Sequence, residues 1–334
     1  MTSTRHAGDA LFFFLFWGFF MAGPFVGIDV SKDHLDVALR PGQPFRVPNG
    51  PAGHAALVAR LAPLSPALVV MEATGGLEMP ALAALAAAGV PVAAVNPRQA
   101  KDFAGATNRL AKTDRIDAEG LAHFAEAIRP EPRPLPGPEQ RALDALVTRR
   151  RQLVEMRVME SNRLSACADA AVRAAIERHL AWLDAEIGDA DRLLGEAIRQ
   201  SPAWREKDDL LRSIPGIGPQ ASRTLLGAVP ELGTLSGAKV AALAGLAPFA
   251  DDSGQRRGTR HVRGGRAEVR RALYLAALSA RRFCAPLKDF ADRLAEAGKK
   301  AKVVLVAVAR KLLVIANAIL KTGKPWKADL AAAK

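Results

Sequence analysis

From Phe25 to Arg40 the chain reads FVGIDVSKDHLDVALR. An apolar, β-branched run climbs to one acid, Asp29, drops into a Ser-Lys turn and rises again through Leu35, Asp36, Val37, Ala38 and Leu39. This pattern predicts two short strands joined by a tight turn. Phe45 to Val47 reads as a third strand of the same meander. Ala52 to Leu61 then reads as a helix, and Ala67 to Met71 as a buried strand ending at Glu72. Leu77 to Ala88 follows as a helix, Val92 to Val95 as a strand and Lys112 to Ile128 as a helix. Three strands followed by alternating strands and helices predict a mixed sheet with helices packed on it.

The stretch RPEPRPLPGP, residues 129–138, has proline at every second position from Pro130. Such a run is stiff and extended, and marks a domain boundary. Beyond it, Glu139 to Leu164 and Ile176 to Ile198 read as helices. In the second, Ile176, Leu180, Leu183, Ile187, Ala190 and Leu194 step by four and three in alternation. That is a heptad seam, suited to a helical hairpin or a coiled coil between protomers. From Leu210 the chain is helical with interruptions, closing with an apolar helix at Lys302 to Leu320, too short an apolar run for a membrane span.

Charge divides the chain. Residues 1–200 carry 22 Lys/Arg against 23 Asp/Glu, while residues 201–334 carry 25 against 11. A segregated basic region points to a polyanion partner, most commonly nucleic acid, DNA or RNA. Cys167 and Cys284 form no metal or framework spacing, which fits reduced thiols and a cytoplasmic location. Near the start, Ala10 to Ala22 is a run of 13 apolar residues after Arg5 and His6. It falls short of the ~20 residues a membrane helix needs. It has the length of a signal-peptide core, yet export would strand a basic domain outside the cell. The expectation is a true start at Met21, with residues 1–20 outside the fold.

A carboxylate in an apolar strand must face a cation, a metal or a hydrogen-bond network. Asp29 sits mid-strand, Glu72 ends the buried strand in VVMEATGG, and Asp114 and Asp117 lie three apart in KTDRIDAEG, on one side of a helix. Four carboxylates from two strands and one helix suit a pair of Mg²⁺ ions with hard oxygen ligands. GIDVSK, MEATGG, the VNP of residues 95–97 and KTDRIDA, in this order, resemble the RuvC-like domain of DEDD-type insertion-sequence transposases, the bridge-RNA-guided recombinases. The resemblance implies an α/β RNase H-like fold over residues 21–129, with Asp29, Glu72, Asp114 and Asp117 as the metal-binding tetrad. A linker at 130–138, a helical hairpin at 139–200 and a basic, mainly α transposase domain at 201–325 would follow. Leu77 departs from the pattern, where an aromatic residue is common.

Two further stretches carry chemistry. LLRSIPGIGPQASRTLLGAV, residues 210–229, has the pattern of a helix-hairpin-helix, in which Gly216 and Gly218 would let backbone N–H groups approach a phosphate. The plainer reading is an ordinary turn between two helices. From Gly245 to Tyr274 the chain is rich in arginine, with glycines keeping its first half loop-like and a helix from Arg266. Arg256, Arg257, Arg260, Arg263, Arg266, Arg270 and Arg271 are candidate phosphate contacts, since guanidinium forks grip phosphate oxygens in pairs. Ser253 stands at the head of this stretch as a candidate nucleophile. The resemblance strengthens that reading, because the family's catalytic serine sits in a Ser-Gly step. It also implies a guide RNA and a site shared between subunits of a homo-oligomer. His34, His54, His123, His179 and His261 form no ligand spacing. Two other readings stay open: a RuvC-type nuclease acting on branched DNA with the acids alone, and a nucleic-acid-binding scaffold.

Overall fold

The computed structural model describes residues 23–108, 113–132, 135 and 137–327. The proposed start at Met21, the helix start at Lys112 and part of the Pro-rich stretch lie outside them. The chain divides into two compact units, one ending at Leu135 and one beginning at Pro136.

In the first unit β1 (Phe25–Val30), β2 (His34–Arg40), β3 (Phe45–Pro48), β4 (Leu68–Glu72) and β5 (Val92–Val95) form one sheet in the order β3-β2-β1-β4-β5. The three-strand meander is antiparallel, and β1, β4 and β5 run parallel. This is the expected mixed sheet. Among the described residues four α-helices flank it: α1 (Pro51–Leu61), α2 (Met79–Ala87), α3 (Pro97–Ala106) and α4 (Asp114–Ile128). Side chains alternate between the two faces of a strand. Val26, Ile28, Val30, Leu35, Val37, Val69 and Met71 accordingly share a core with Leu57 and Leu61 of α1 and Leu82 and Leu85 of α2. On the opposite face Leu68, Val70, Ala93 and Val95 meet Leu121, Phe124 and Ala125 of α4. Burying Leu121 and Phe124 contributes roughly 1.5–3 kcal/mol each. The hydrophobic pattern did not reveal α3, which starts at an Asn96 cap whose side chain accepts from the Arg98 N–H, with proline in its first turn.

Gly27 sets how closely α4 approaches the sheet. A Cβ there would lie 2.2 Å from both the Ala118 carbonyl and the Ala122 nitrogen. Ala38, Ala118 and Ala122 form a buried cluster of small side chains beside it. The helix backbone therefore lies directly on β1 and β2.

The second unit is helical: α5 (Pro138–Ala166), α6 (Ala170–Gln200), α7 (Pro202–Arg212), α8 (Pro219–Ala228), α9 (Gly237–Leu243), α10 (Ala267–Phe283), α11 (Ala285–Glu296) and α12 (Ala301–Thr322). Ion pairs Arg150–Asp191 and Arg157–Asp184, with His179 near Glu160, run in opposite directions along α5 and α6, so these two form an antiparallel hairpin within the chain. The heptad seam faces inward, with Leu183, Ala190 and Leu194 buried. Among the described residues α12 is the one helix long and apolar enough to cross a membrane, but ten of its 22 residues are buried. Leu312, Leu313 and Ala316 lie in the core of this unit, and the buried Asn317 satisfies the Gly233 N–H and the Leu235 carbonyl at 2.9 Å each.

Candidate functional site: an acidic sheet face and a basic hairpin

The acids of the first unit converge on the face that α4 covers. Asp29 pairs across the sheet with Asp36, and paired residues on adjacent strands share a face. Glu72 is the last residue of β4, which runs beside β1. Thr113 caps α4, its hydroxyl accepting from the Ile116 N–H, and Asp114 and Asp117 occupy the first turn. There the unpaired N–H groups and the helix dipole favour carboxylates. The gathering is visible in the charge balance. The Asp29 carboxyl is raised from 3.8 to about 6, first by burial and then by the negative charges of Asp117, Asp114, Glu72 and Asp36. The other three acids singled out from the sequence thus all act on Asp29.

Three neighbours were not singled out. Asp36 is 8% exposed and accepts from Arg46 Nε at 2.8 Å. Arg46 also comes within 3.5 Å of Asp114, and His34 Nε2 within 3.9 Å of the same carboxylate. One ligand atom each of His34, Asp36 and Asp114 lies within 4.8 Å of the others, although His34 had shown no ligand spacing in sequence. The signal was present in the hairpin register: a tight turn at residues 31–33 sets Asp36 opposite Asp29. Behind Glu72, the buried Glu78 accepts from the Thr74 and Gly76 N–H groups at 3.0 and 2.9 Å, which clamps the ATGG loop. An oxygen-rich donor set that, with burial, raises one carboxyl to about 6 fits a hard divalent cation.

In the second unit the expected loop after Gly245 is instead two nested ribbons. β6 (Pro248–Phe249) pairs with β9 (His261–Val262), and β7 (Asp252–Ser253) pairs with β8 (Arg256–Arg257). Gly254, at φ 55°, supplies the left-handed turn, and Asp252 accepts from the Gly258 N–H at 3.1 Å. Gly254, one of the glycines that had suggested a loop, is a turn residue of a hairpin. Ser253 stands at its exposed tip, opposite Arg256. Among the described residues nothing hydrogen-bonds the Ser253 hydroxyl, and Arg256, Arg257 and Arg260 form no ion pair. Arg263 lies over the Phe249 ring at 5.4 Å. The other arginines are engaged within the fold. Arg266 forms a two-pronged pair with Glu231 at 2.7 and 2.8 Å and donates to the Ala228 carbonyl. Arg270 donates to the Gly264 carbonyl at 2.6 Å, and Arg271 to Glu155 at 3.3 Å.

The turn between α7 and α8 carries the two other glycines. Gly216 has φ 97°, and a Cβ there would lie 2.6 Å from that of Ala280, so this glycine admits α10. Gly218 caps α8 and has open space at its Cβ position. Both line a cavity of about 600 Å³ that Arg150, Arg151, Arg223 and Arg271 also border.

Comparison with known proteins agrees with this arrangement. Residues 26–172 match the family model of DEDD-type IS110 transposases, and residues 208–292 match that of the IS116/IS110/IS902 transposase family. The pilin gene-inverting protein of Moraxella bovis is 30% identical over 243 residues, covering 70% of this chain and 74% of that protein. Its counterpart in Moraxella lacunata is 29% identical over the same length. An uncharacterized 42 kDa protein of insertion element IS900 from Mycobacterium paratuberculosis is 30% identical over 155 residues, covering 46% of this chain and 38% of that protein. The two family models lie one on each side of the α6–α7 junction and take in the acidic face and the basic hairpin in turn; the chain belongs to the IS116/IS110/IS902 family of transposases and is a DNA transposase or recombinase.

Proposed function

We propose that the acidic face is the metal-bearing centre of DNA strand exchange and that Ser253 is its nucleophile. Asp29, Glu72, Asp114 and Asp117 would hold two Mg²⁺ ions. When bound, such ions neutralise the scissile phosphate and activate an attacking oxygen. The observation that carries this reading is the Asp29 carboxyl, lifted to about 6 first by burial and then by the charges of acids drawn from two other strands and one helix. Acids held that close are unfavourable in an apolar sheet unless a cation binds among them.

In the exchange, Ser253 Oγ bonds to the DNA phosphorus while the bond from phosphorus to one deoxyribose oxygen breaks. The serine proton goes to a carboxylate base and the departing oxygen takes up a proton. The phosphoserine link conserves the phosphodiester energy, so the reverse step rejoins strands without ATP. Arg256, Arg257, Arg260 and Arg263 grip flanking phosphates from the ribbon, with Gly216, Gly218 and the α8 N-terminus approaching another. Arg266, Arg270 and Arg271 hold the ribbon and α10 in place for them.

The base for Ser253 comes from the acidic face of a second copy, which makes the working enzyme a homo-oligomer. Val158, Met159 and Trp182, each about half exposed on the α5–α6 hairpin, are suited to hold copies together. A structured guide RNA selects the target, in keeping with the resemblance in GIDVSK and KTDRIDA and with the basic C-terminal region. RNA extracted from the purified protein and sequenced should give one discrete species.

The absence of a hydrogen-bonded base at Ser253 among the described residues favours one alternative, a nuclease that uses the acids alone. Ser253→Ala separates the two. Loss of strand joining and of the covalent protein–DNA species supports the serine route, and full activity supports the nuclease.

A further inference from the structure

We propose that Arg46 is a resident cation of the acidic face: it neutralises Asp36 and Asp114 in the metal-free protein and competes with the divalent ion for Asp114. This rests on the metal-bearing reading of Asp29, Glu72, Asp114 and Asp117.

The sheet register sets the three residues in one row. Asp29 on β1 is opposite Asp36 on β2, and Asp36 is opposite Arg46 on β3. Asp36 is therefore wedged between a second acid and a cation, with its side chain 11% exposed. A carboxylate that buried beside another requires a positive partner. Arg46 supplies it from the edge strand, where its own side chain is 53% exposed and has room to move.

Its two contacts are unequal. The bond to Asp36 is 2.8 Å and aligned on Nε, whereas the approach to Asp114 is 3.5 Å through a terminal nitrogen. Arg46 can release Asp114 while staying anchored on Asp36. The guanidinium keeps its charge at every working pH, so it opposes cation entry through charge alone. The ordinary alternative is an arginine that merely aims Asp114. The two differ in sign. A competitor, once neutralised, leaves the site more negative and the metal tighter; an aiming residue, once removed, leaves the metal weaker.

The test is calorimetric titration of Mn²⁺ into the full-length chain, with circular dichroism to confirm folding. Wild type is compared with Arg46→Gln, Arg46→Met, Arg46→Lys and Asp29→Asn. The two neutral variants should bind Mn²⁺ about tenfold tighter than wild type, as expected for removing a unit charge a few ångströms from a divalent ion at a wet surface. Arg46→Lys should stay near the wild-type affinity. In chelator the neutral variants should melt below wild type, and Mn²⁺ should raise their melting temperature by more. Equal or weaker binding by both neutral variants, with wild type binding normally, overturns the competition and leaves the metal centre standing. Absence of Mn²⁺ binding by wild type, or binding unchanged in Asp29→Asn, overturns both.

Discussion

The acidic face and the basic hairpin handle charge in opposite ways. The acids sit on strands and on the first turn of a helix, half-buried, with positions fixed by sheet register and by the seating of α4 on Gly27. Arg256 and Arg257 sit on a two-residue strand, exposed, and make no ion pair among the described residues. A metal centre needs ligands held to a fraction of an ångström, which a packed sheet supplies. Phosphate contacts tolerate adjustment, and exposed guanidinium groups on a light ribbon suit a substrate that must enter and leave. Small errors should therefore be costly in the first region and graded in the second.

The largest effect belongs to the acids. Asp29→Asn or Asp114→Asn should lower strand exchange at least 100- to 1,000-fold, in line with losing one preorganised electrostatic group. Far-ultraviolet circular dichroism should stay unchanged. Ser253→Ala should match this loss while retaining metal binding. Mixing it with Asp29→Asn should restore part of the activity if acids and serine meet from different copies.

Next comes the seat of α4. Gly27→Val places side-chain atoms where the backbone of Ala118 and Ala122 now lies. It should cost roughly 1–3 kcal/mol or more of stability by overpacking, measured by urea unfolding. Metal affinity should fall with it, because the helix carries Asp114 and Asp117. A variant that stays stable and binds metal normally would break the claim that backbone contact positions the acids.

A subtler effect concerns pH. The Asp29 carboxyl titrates at about 6 in the folded chain against an ordinary 3.8, so the folded state binds this proton more tightly. Stability of the metal-free protein should fall as pH rises from 3.8 towards about 6 and then level. Metal must displace the same proton, so affinity should climb over this window. Asp29→Asn should flatten the stability profile.

The smallest effects fall on the ribbon. Single replacements of Arg256, Arg257 or Arg260 by Ala should weaken DNA binding a few-fold and reduce the salt slope by about one each. Arg266→Ala should instead lower thermal stability, because its two-pronged pair with Glu231 joins α10 to the end of α8.

How much of this was readable beforehand follows the same division. Strands β1 to β5 and the heptad seam of α6 follow directly from apolar periodicity; Asp29 and Glu72 stood out because they interrupt or end apolar runs, and Asp114 and Asp117 because they stand three apart on one side of a helix. Asp36 interrupts one too, but its partner Arg46 lies on another strand, and only the register Asp29–Asp36–Arg46 brings the row together. His34 escaped notice because its neighbour Asp114 is eighty residues away and arrives through the packing of α4. In the ribbon, Gly254 and Gly258 read equally well as loop or hairpin, and two-residue strands leave almost no periodic trace. The double duty of Arg266 likewise depends on a contact with Glu231, far off in sequence, that no local pattern encodes.

The most direct test of the central claim is metal-directed cleavage. Fe²⁺ bound in place of Mg²⁺, with ascorbate and peroxide, cuts the backbone beside its ligands. Cuts should cluster near Asp29, Glu72 and the Asp114–Asp117 turn, fade with excess Mg²⁺ and vanish in Asp29→Asn. Cuts confined to other segments, or indifferent to Mg²⁺, would contradict a divalent metal centre on this face.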